Sequence, residues 1–260
     1  MQLSLLQWGL ALFSGSLVGF SLGLAGGGGS ILAVPLLVYL VGVADPHVAI
    51  GTSAVAVAAN ALGNVVAHAR SGHVMWPCAL IFAGVGSVGA ALGSTLGKMV
   101  DGRRLLVLFA LLMIVIALLM LRKRRDPTQA FTGLAQGDLP KLIGVALATG
   151  TLSGFFGIGG GFLIVPGLML ATQMPIINAV GSSLVSVTAF GATTAANYAA
   201  SGLVDWALAL VFIIGGLGGG VAGAHVAELL ALRGQTLNIV FAGLVIAVAI
   251  YMLVRNLFAA

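Results

Sequence analysis

Two glycine-rich stretches decide how this chain folds: GGGGSILAVP at residues 26–35 and GIGGGFLIVP at residues 157–166. Each interrupts an apolar stretch of more than thirty residues. As one continuous helix, such a stretch would run to about 50 Å, against roughly 30 Å for the hydrocarbon core of a bilayer. Glycine accepts positive φ and lets another backbone approach closely, so the chain can break or turn there. The sequence therefore predicts helices that are broken at both stretches.

The two stretches belong to a repeat that covers both halves of the chain. They are identical at six of ten positions with an offset of 131 residues. After a one-residue slip, AIGTSAVAV (49–57) matches AVGSSLVSV (179–187), and SGHVMW (71–76) matches SGLVDW (201–206). Chance similarity between apolar segments would not preserve Gly, Pro, Ser and Trp together. Internal duplication of this kind is common in secondary transporters.

Glycines spaced by four residues recur in three of the apolar segments. Small residues at this spacing line one face of a helix and let a neighbouring helix approach closely. The sequence therefore predicts three glycine packing faces: Gly15, Gly19 and Gly23; Gly89, Gly93 and Gly97; and Gly215, Gly219 and Gly223.

Composition indicates an integral membrane protein. Hydrophobic residues make up 60% of the 260 residues and charged residues only 7%, whereas a soluble domain has roughly 25% charged residues. Four of the eleven Lys and Arg residues lie at 122–125, between apolar segments. This placement is typical of a cytoplasmic loop and leaves too few cations elsewhere for a nucleic-acid surface. The single cysteine, Cys78, excludes a disulfide framework.

The apolar pattern predicts an all-α polytopic membrane protein with one integrated transmembrane domain. A first membrane repeat spans 1–121, a basic cytoplasmic linker 122–138, and a second membrane repeat 139–260. The predicted helical segments lie at about 5–24, 30–43, 46–69, 74–98, 104–121, 139–156, 162–171, 175–200, 203–227 and 236–255. Five segments in each half would make the repeats inverted, and four would make them parallel. The division of Lys and Arg residues between the two sides of the membrane is equally uneven in both arrangements, so charge does not decide between them. Known secondary transporters favour inverted repeats.

The glycine breaks form the first candidate binding site. Short helices that begin at the breaks would point free backbone N–H groups, with about half a positive charge, at a small oxyanion. The residues predicted to meet near the bilayer midplane and offer these groups are Gly28, Gly29, Ser30, Gly159, Gly160 and Gly161. The alternative is that both breaks are tight interhelical turns without a ligand.

Neutral polar side chains in the next segment of each half complete the predicted site, because such groups can bind an anion and then release it. They are Thr52, Ser53, Asn60, Asn64, Ser182, Ser183 and Asn197. Asn60 and Asn64 are four residues apart and share one helix face. Hydrogen bonding between helices is the alternative role for this group. His68 is the one titratable side chain within an otherwise continuous span and is a candidate proton relay.

Nothing in the sequence predicts an enzyme. The GxSxG, HExxH and Walker motifs are absent, and neither a metal nor a cofactor is expected. No acidic residue lies at mid-membrane in this segmentation, whereas a cation pump usually needs a buried carboxylate. An anion is therefore the better candidate ligand.

The chain resembles the TauE/SafE sulfite and sulfonate exporter family over residues 10–255. The resemblance lies in two pairs of motifs on either side of a basic linker: GGGGSILAVP followed by AIGTS, and GIGGGFLIVP followed by AVGSS. The resemblance implies a transporter of the bacterial plasma (inner) membrane that exports a small inorganic or organosulfur anion, such as sulfite or an organosulfonate. The expected partners are this anion and the lipid bilayer, with a homo-oligomer left open and no nucleic acid. A passive anion channel or a non-transporting scaffold subunit is the alternative. The first glycine run is GGGG where the second is GIGGG, so the two halves need not bind equally.

Overall fold

The computed structural model describes residues 4–121, 139–157, 161–230 and 234–258, and nearly all of them are helical. Between the first two long helices, the chain forms a 3-10 helix (Gly26–Leu32), the single turn α2 (Ala33–Pro35) and a π-helix (Leu36–Val41). The other helices are α1 (Leu5–Ala25), α3 (Pro46–Arg70), α4 (Trp76–Met99), α5 (Gly102–Leu121), α6 (Leu139–Phe156), α7 (Gly161–Thr172), α8 (Ile176–Ala200), α9 (Trp206–Leu230) and α10 (Gly234–Phe258).

These helices confirm the predicted class, an all-α polytopic membrane protein. Within the described residues, seven helices are long and apolar enough to cross a membrane. Three further apolar helices are shorter, at Gly29–Val41, Leu163–Thr172 and Ala242–Asn256. Predicted and observed segments agree closely, as at 139–156 against Leu139–Phe156. The predicted linker 122–138 lies outside the described residues.

Short polar signals fix where several helices begin. Asp45 precedes α3, and its carboxylate accepts a hydrogen bond from the backbone N–H of His47 at 2.8 Å, with Pro46 at the first helical position. Asp101 accepts bonds from the backbone N–H groups of Arg103 and Arg104 at the start of α5, at 3.1 and 3.2 Å. Both carboxylates therefore satisfy N–H groups that a helix start leaves without a partner.

The predicted glycine faces are the places where helices pack most closely. α1 packs against α9, and α4 packs against α6. A β-carbon on Gly19 would overlap the backbone carbonyl of Gly216, and one on Gly93 would overlap the carbonyl of Thr151. No residue other than glycine fits at these contacts without moving a backbone, which is why the four-residue spacing recurs in these helices.

The same contacts give the direction of each helix. Leu12 lies against Gly215 and Phe20 against Gly223, so α1 and α9 run the same way. In contrast, Gly51 lies against Tyr198, near the end of α8, so α3 and α8 run in opposite directions. These two helices carry the matching AIGTS and AVGSS elements. The matching third helices of the two halves are therefore antiparallel.

The antiparallel arrangement defines two ends of the bundle. At the end where α3 begins, which we call the His47 end, α4, α8 and α10 finish and α5 begins. At the opposite end, which we call the His68 end, α3 finishes, α4, α6 and α8 begin, and α5 finishes. Because α1 and α3 both run toward the His68 end, residues 26–41 carry the chain back to the His47 end.

Candidate functional site

Thr52 and Ser182, both predicted to bind substrate, hold the two halves together. The Thr52 hydroxyl accepts a hydrogen bond from the backbone N–H of Asp205 at 3.0 Å, and the Ser182 hydroxyl accepts one from that of Met75 at 2.9 Å. Both the acceptors and the donors are related by the repeat offset of 130 residues. One bond lies at the His47 end and the other at the His68 end.

The glycines of the two motifs serve the same contact, whereas the second hydroxyls bond within their own helices. Gly51 and Gly181 leave room for the backbone carbonyls of Leu203 and His73, which a β-carbon would overlap or crowd. The hydroxyls of Ser53 and Ser183 donate to carbonyls of their own helices, at 2.9 Å and 2.7 Å. Thr52, Ser53, Ser182 and Ser183 are all fully buried. The structure thus gives all four hydroxyls a hydrogen-bond partner within the protein.

The glycine breaks are turns packed against their own or neighbouring helices. A β-carbon on Gly29 would overlap the backbone of Ser21 and Leu22 in α1, and one on Gly157 would overlap the side chain of Ile50 in α3. Gly157 has φ of 67°, in the left-handed region that favours glycine. Gly28 and the buried Ser30 lie in the 3-10 helix, and Gly161 begins α7, whereas Gly159 and Gly160 lie outside the described residues.

The glycines of the two breaks that the structure describes, Gly29 and Gly157, lie at different heights of the bundle, whereas the predicted meeting near the midplane also involves Gly159 and Gly160, outside the described residues. Gly216 lies between Gly19 and Asn60, so Gly29, beside Leu22, lies about one turn beyond Asn60 toward the His68 end. Gly157 instead abuts Ile50, in the second turn of α3. At 1.5 Å per residue, the breaks are about 20 Å apart along α3. The physical reason is that α1 and α6 run in opposite directions, so the same turn falls at opposite ends of the bundle.

Asn60 is a predicted substrate-binding residue whose two side-chain polar atoms both lack a hydrogen-bond partner. Its side chain is 1% exposed, and neither Oδ1 nor Nδ2 has a hydrogen-bond partner. Gly216 of α9 faces the carboxamide directly, because a β-carbon there would overlap it. One turn further along α3, the Asn64 amide donates to the backbone carbonyl of Asn60 at 2.9 Å.

A cavity of about 260 Å³ between α3 and α9 brings these two asparagines together. Its other lining residues are Gly63, Ala67, Leu217, Gly220, Val221 and His225, and all of these except Gly220 are exposed, so the cavity opens onto the outer face of α3 and α9. An unpaired buried carboxamide beside such a cavity can donate to and accept from a small polar solute. Two of the predicted side chains thus face a common space here.

Asn197 lies in a different environment, between α4 and α8 at the His47 end. Its amide donates to the hydroxyls of Ser94 and Thr95 at 2.6 and 2.9 Å, and its Oδ1 accepts from the Lys98 ammonium at 2.7 Å. The repeat places Ala67 at the equivalent position in the first half. Asn197 therefore does not share a site with Asn60 and Asn64.

Sequence reasoning missed Lys98 and Tyr198, which adjoin this cluster. The Lys98 Nζ lies 5.8 Å from the centre of the Tyr198 ring, and Tyr198 is fully buried with a hydroxyl that has no partner. The available signal was the position of Lys98, a lone cation in the last turn of an apolar helix.

His68 lies in the last turn of α3, where its ring centre is 6.0 Å from that of His73. Its Nδ1 atom is buried and has no hydrogen-bond partner. Within the described residues, no group of three His, Cys, Asp or Glu side chains could hold a metal ion. His68 lies one turn beyond Asn64 but is not among the residues that line the cavity between α3 and α9.

The family model for "Sulfite exporter TauE/SafE" matches residues 11–252, nearly the whole chain. The chain belongs to the TauE/SafE family. The resemblance seen in the glycine breaks and the AIGTS and AVGSS elements is thereby confirmed. The family and the membrane-spanning helices together show that this TauE/SafE protein is a multi-pass membrane transporter. Its family and its relatives are named as transporters, not as enzymes.

Curated relatives of this TauE/SafE protein carry the same general description. Two proteins of Xylella fastidiosa, each named "Probable membrane transporter protein", are 57% and 56% identical to it, and each match covers 94% of both chains. "Probable membrane transporter protein YunE" of Bacillus subtilis is 33% identical, over 84% of this chain and 86% of its own. No solved structure matches the chain significantly.

Proposed function

We propose that this TauE/SafE protein is a secondary transporter that exports a small sulfur-containing oxyanion, sulfite or an organosulfonate, across the plasma membrane. The family description supports the substrate class and the direction. The observation that carries the binding site is the buried carboxamide of Asn60, which has no partner beside the cavity between α3 and α9.

The chemistry of this carboxamide suits an anion that must be released again. An unsatisfied buried polar group costs about 1–3 kcal/mol, so Asn60 gains when a ligand or water enters the cavity. Its N–H groups donate to an oxyanion without adding a fixed positive charge that would hold the anion too tightly. A cavity of about 260 Å³ fits an inorganic anion or a short sulfonate.

The topology that we propose places the two halves in inverted orientation, with the linker in the cytoplasm. The antiparallel direction of α3 and α8 supports the inversion. Arg70 and Lys141 lie at the His68 end, where α5 finishes and α6 begins, so the linker cations 122–125 join the same side. The positive-inside rule then makes the His68 end cytoplasmic and the His47 end external. Rocking of one half against the other would expose the cavity to each side in turn.

Sulfite counterflow tests this function. The purified protein is reconstituted into liposomes loaded with unlabelled sulfite, and uptake of labelled sulfite is measured with organosulfonates, sulfate and chloride as competitors. We expect saturable counterflow, which a passive channel does not produce. Asn60→Ala should lower kcat/KM for sulfite at least about tenfold, or about 1.4 kcal/mol.

A matched control separates the loss of binding from the loss of folded protein. Ser87→Ala removes a hydroxyl that donates to the Ala83 carbonyl of its own helix, away from the cavity, and should leave counterflow unchanged. If wild-type protein in folded form moves neither sulfite nor any competitor, the proposed substrate class is wrong. If Asn60→Ala transports as well as Ser87→Ala, Asn60 is not part of the site.

A further inference from the structure

A second and larger cavity opens at the His47 end, about 1250 Å³ in volume. It lies between the loops that precede α3 and α5, beside the ends of α4 and α10. Its charged or titratable lining residues are Tyr39, Asp45, His47, Lys98, Asp101, Arg103 and Arg255. None of the residues that line the cavity between α3 and α9 takes part in it.

Positive charge is concentrated in this cavity. Three of the six Lys and Arg residues in the described part of the chain line it: Lys98, Arg103 and Arg255. The two carboxylates of the lining, Asp45 and Asp101, already accept hydrogen bonds from the starts of α3 and α5. These bonds leave both carboxylates charged, so three cations against two anions give the lining a net positive charge, and Lys98 is the cation whose hydrogen bonds favour a ligand.

Lys98 is held in place without a carboxylate partner among its hydrogen bonds. Its ammonium donates to Oδ1 and the backbone carbonyl of Asn197, at 2.7 and 3.0 Å, and to the hydroxyl of Ser201 at 2.7 Å. All three acceptors are neutral, so they orient the ammonium without cancelling its charge. An anion in the cavity can replace the exposed Ser201 hydroxyl as an acceptor.

Two further polar groups beside Lys98 are unused. The Nδ1 atom of His47 and the hydroxyl of Tyr198 are both buried without a hydrogen-bond partner. The two rings are 6.4 Å apart between centres, and the Lys98 Nζ lies 5.8 Å from the Tyr198 ring. Lys98 and His47 line the cavity and Tyr198 packs beside them without lining it, so the ammonium and the imidazole are the donors that an oxyanion in the cavity can meet.

The duplication does not account for this cluster. At the repeat offset of 130 residues, Lys98 corresponds to Glu228, Tyr198 to His68, and His47 to Ile177. In the proposed topology the cluster lies on the external side, where the positive-inside rule disfavours Lys and Arg. The cations in this cavity therefore indicate a binding site for an anionic ligand.

We infer that the cavity at the His47 end binds a tetrahedral oxyanion, with the Lys98 ammonium as its main contact. The location of this site on the external side rests on the topology in the proposed function. The binding of an anion at the site does not depend on that function. The same chemistry is shared by a free inorganic oxyanion and by the phosphate of an anionic lipid.

Inorganic sulfate is the probe that tests the site. The purified protein is placed in nanodiscs of phosphatidylcholine, and its thermal-unfolding midpoint is measured against sulfate, with sodium chloride at equal ionic strength as the reference. We expect a sulfate-dependent rise that Lys98→Gln weakens about tenfold in apparent affinity and Lys98→Arg retains. Arg70→Gln, which removes an exposed cation at the other end of α3, should bind sulfate as the wild type does.

A second variant keeps the test valid if Lys98→Gln does not fold. Arg255 is exposed on the cavity rim, so Arg255→Gln should fold and weaken sulfate binding about threefold. Sulfate binding that is equal in wild type, Lys98→Gln and Arg255→Gln overturns the site. A further measurement uses nanodiscs that also contain phosphatidylglycerol. If this lipid raises the unfolding midpoint only when Lys98 is present, and sulfate then gives no further rise, the site binds a lipid headgroup instead of a free anion.

Failure of this site and failure of the proposed function give different results. Asn60 lies outside the cavity at the His47 end, so Asn60→Ala should retain the sulfate-dependent rise in the unfolding midpoint even when sulfite counterflow is lost. A wild-type protein that transports no sulfite but shows Lys98-dependent sulfate binding contradicts the proposed function alone. Normal counterflow with no effect of Lys98→Gln on sulfate binding contradicts this site alone.

Discussion

The hydroxyl of Thr52 in α3 accepts a hydrogen bond from the backbone N–H of Asp205, 153 residues later in the chain, at 3.0 Å. Ser182 in α8 makes the equivalent bond to Met75 at the other end of the bundle. A two-fold relation between the halves produces such a pair of bonds. The GTS and GSS motifs are therefore contacts between the halves, each with a small residue for close approach and a hydroxyl for the partner's backbone.

Thr52→Val tests this contact. Valine has the same shape but cannot accept the bond, so the half-buried N–H of Asp205 loses its partner and the free energy of unfolding should fall by about 1 kcal/mol. The measurement is the unfolding transition of the purified protein in detergent. Thr193→Val is the control, because that hydroxyl donates only to Ala189 of its own helix. Equal transitions for the two variants would contradict the role of Thr52.

Gly19 should tolerate no side chain. Gly19→Ala puts a methyl group into the backbone of Gly216 and should reduce the folded yield or lower the free energy of unfolding by about 2 kcal/mol or more, since α1 and α9 must separate. Gly84→Ala, where a β-carbon meets nothing within 4 Å, should be neutral or slightly stabilising. The two variants are compared by the yield and unfolding midpoint of monodisperse protein.

Asn60→Ala should change stability and transport in opposite directions. The variant removes a buried carboxamide that has no partner, so the unfolding midpoint should stay the same or rise while sulfite counterflow falls. A purely structural residue would lose both together. A clear fall in the midpoint, together with the loss of counterflow, would show that Asn60 stabilises the fold, and the site assignment would fail.

Gly216→Ala should impair transport through Asn60. A β-carbon at this position would overlap the end of the Asn60 side chain, so the new methyl group displaces the carboxamide from its place beside the cavity. We expect counterflow to fall about as far as in Asn60→Ala. Gly218→Ala in the same helix has open space around its β-carbon and should transport normally. Unimpaired counterflow in Gly216→Ala would show that transport does not depend on the position of the Asn60 carboxamide.

The inverted topology predicts a labelling pattern in whole cells. In a Cys78→Ala background, Ser201→Cys at the His47 end, the repeat equivalent of Ser71, should react with a membrane-impermeant maleimide from outside, because Ser201 is exposed. Ser71→Cys at the His68 end should react only after the cells are permeabilised. Labelling of both positions from the same side would exclude the proposed inversion.

The amino-acid sequence by itself determines the helices of this protein and the faces on which they pack. Apolar length sets each span, the glycine runs set where the chain reverses, and Gly19 and Gly93 mark helix contacts, because all three signals depend on residues close together in the chain. The tertiary structure alone decides which polar groups are used. Thr52 and Lys98 find their partners 153 and 99 residues away, whereas Asn60 is left without one. The antiparallel course of the halves, which no local pattern encodes, carries the two glycine breaks to opposite ends of the bundle.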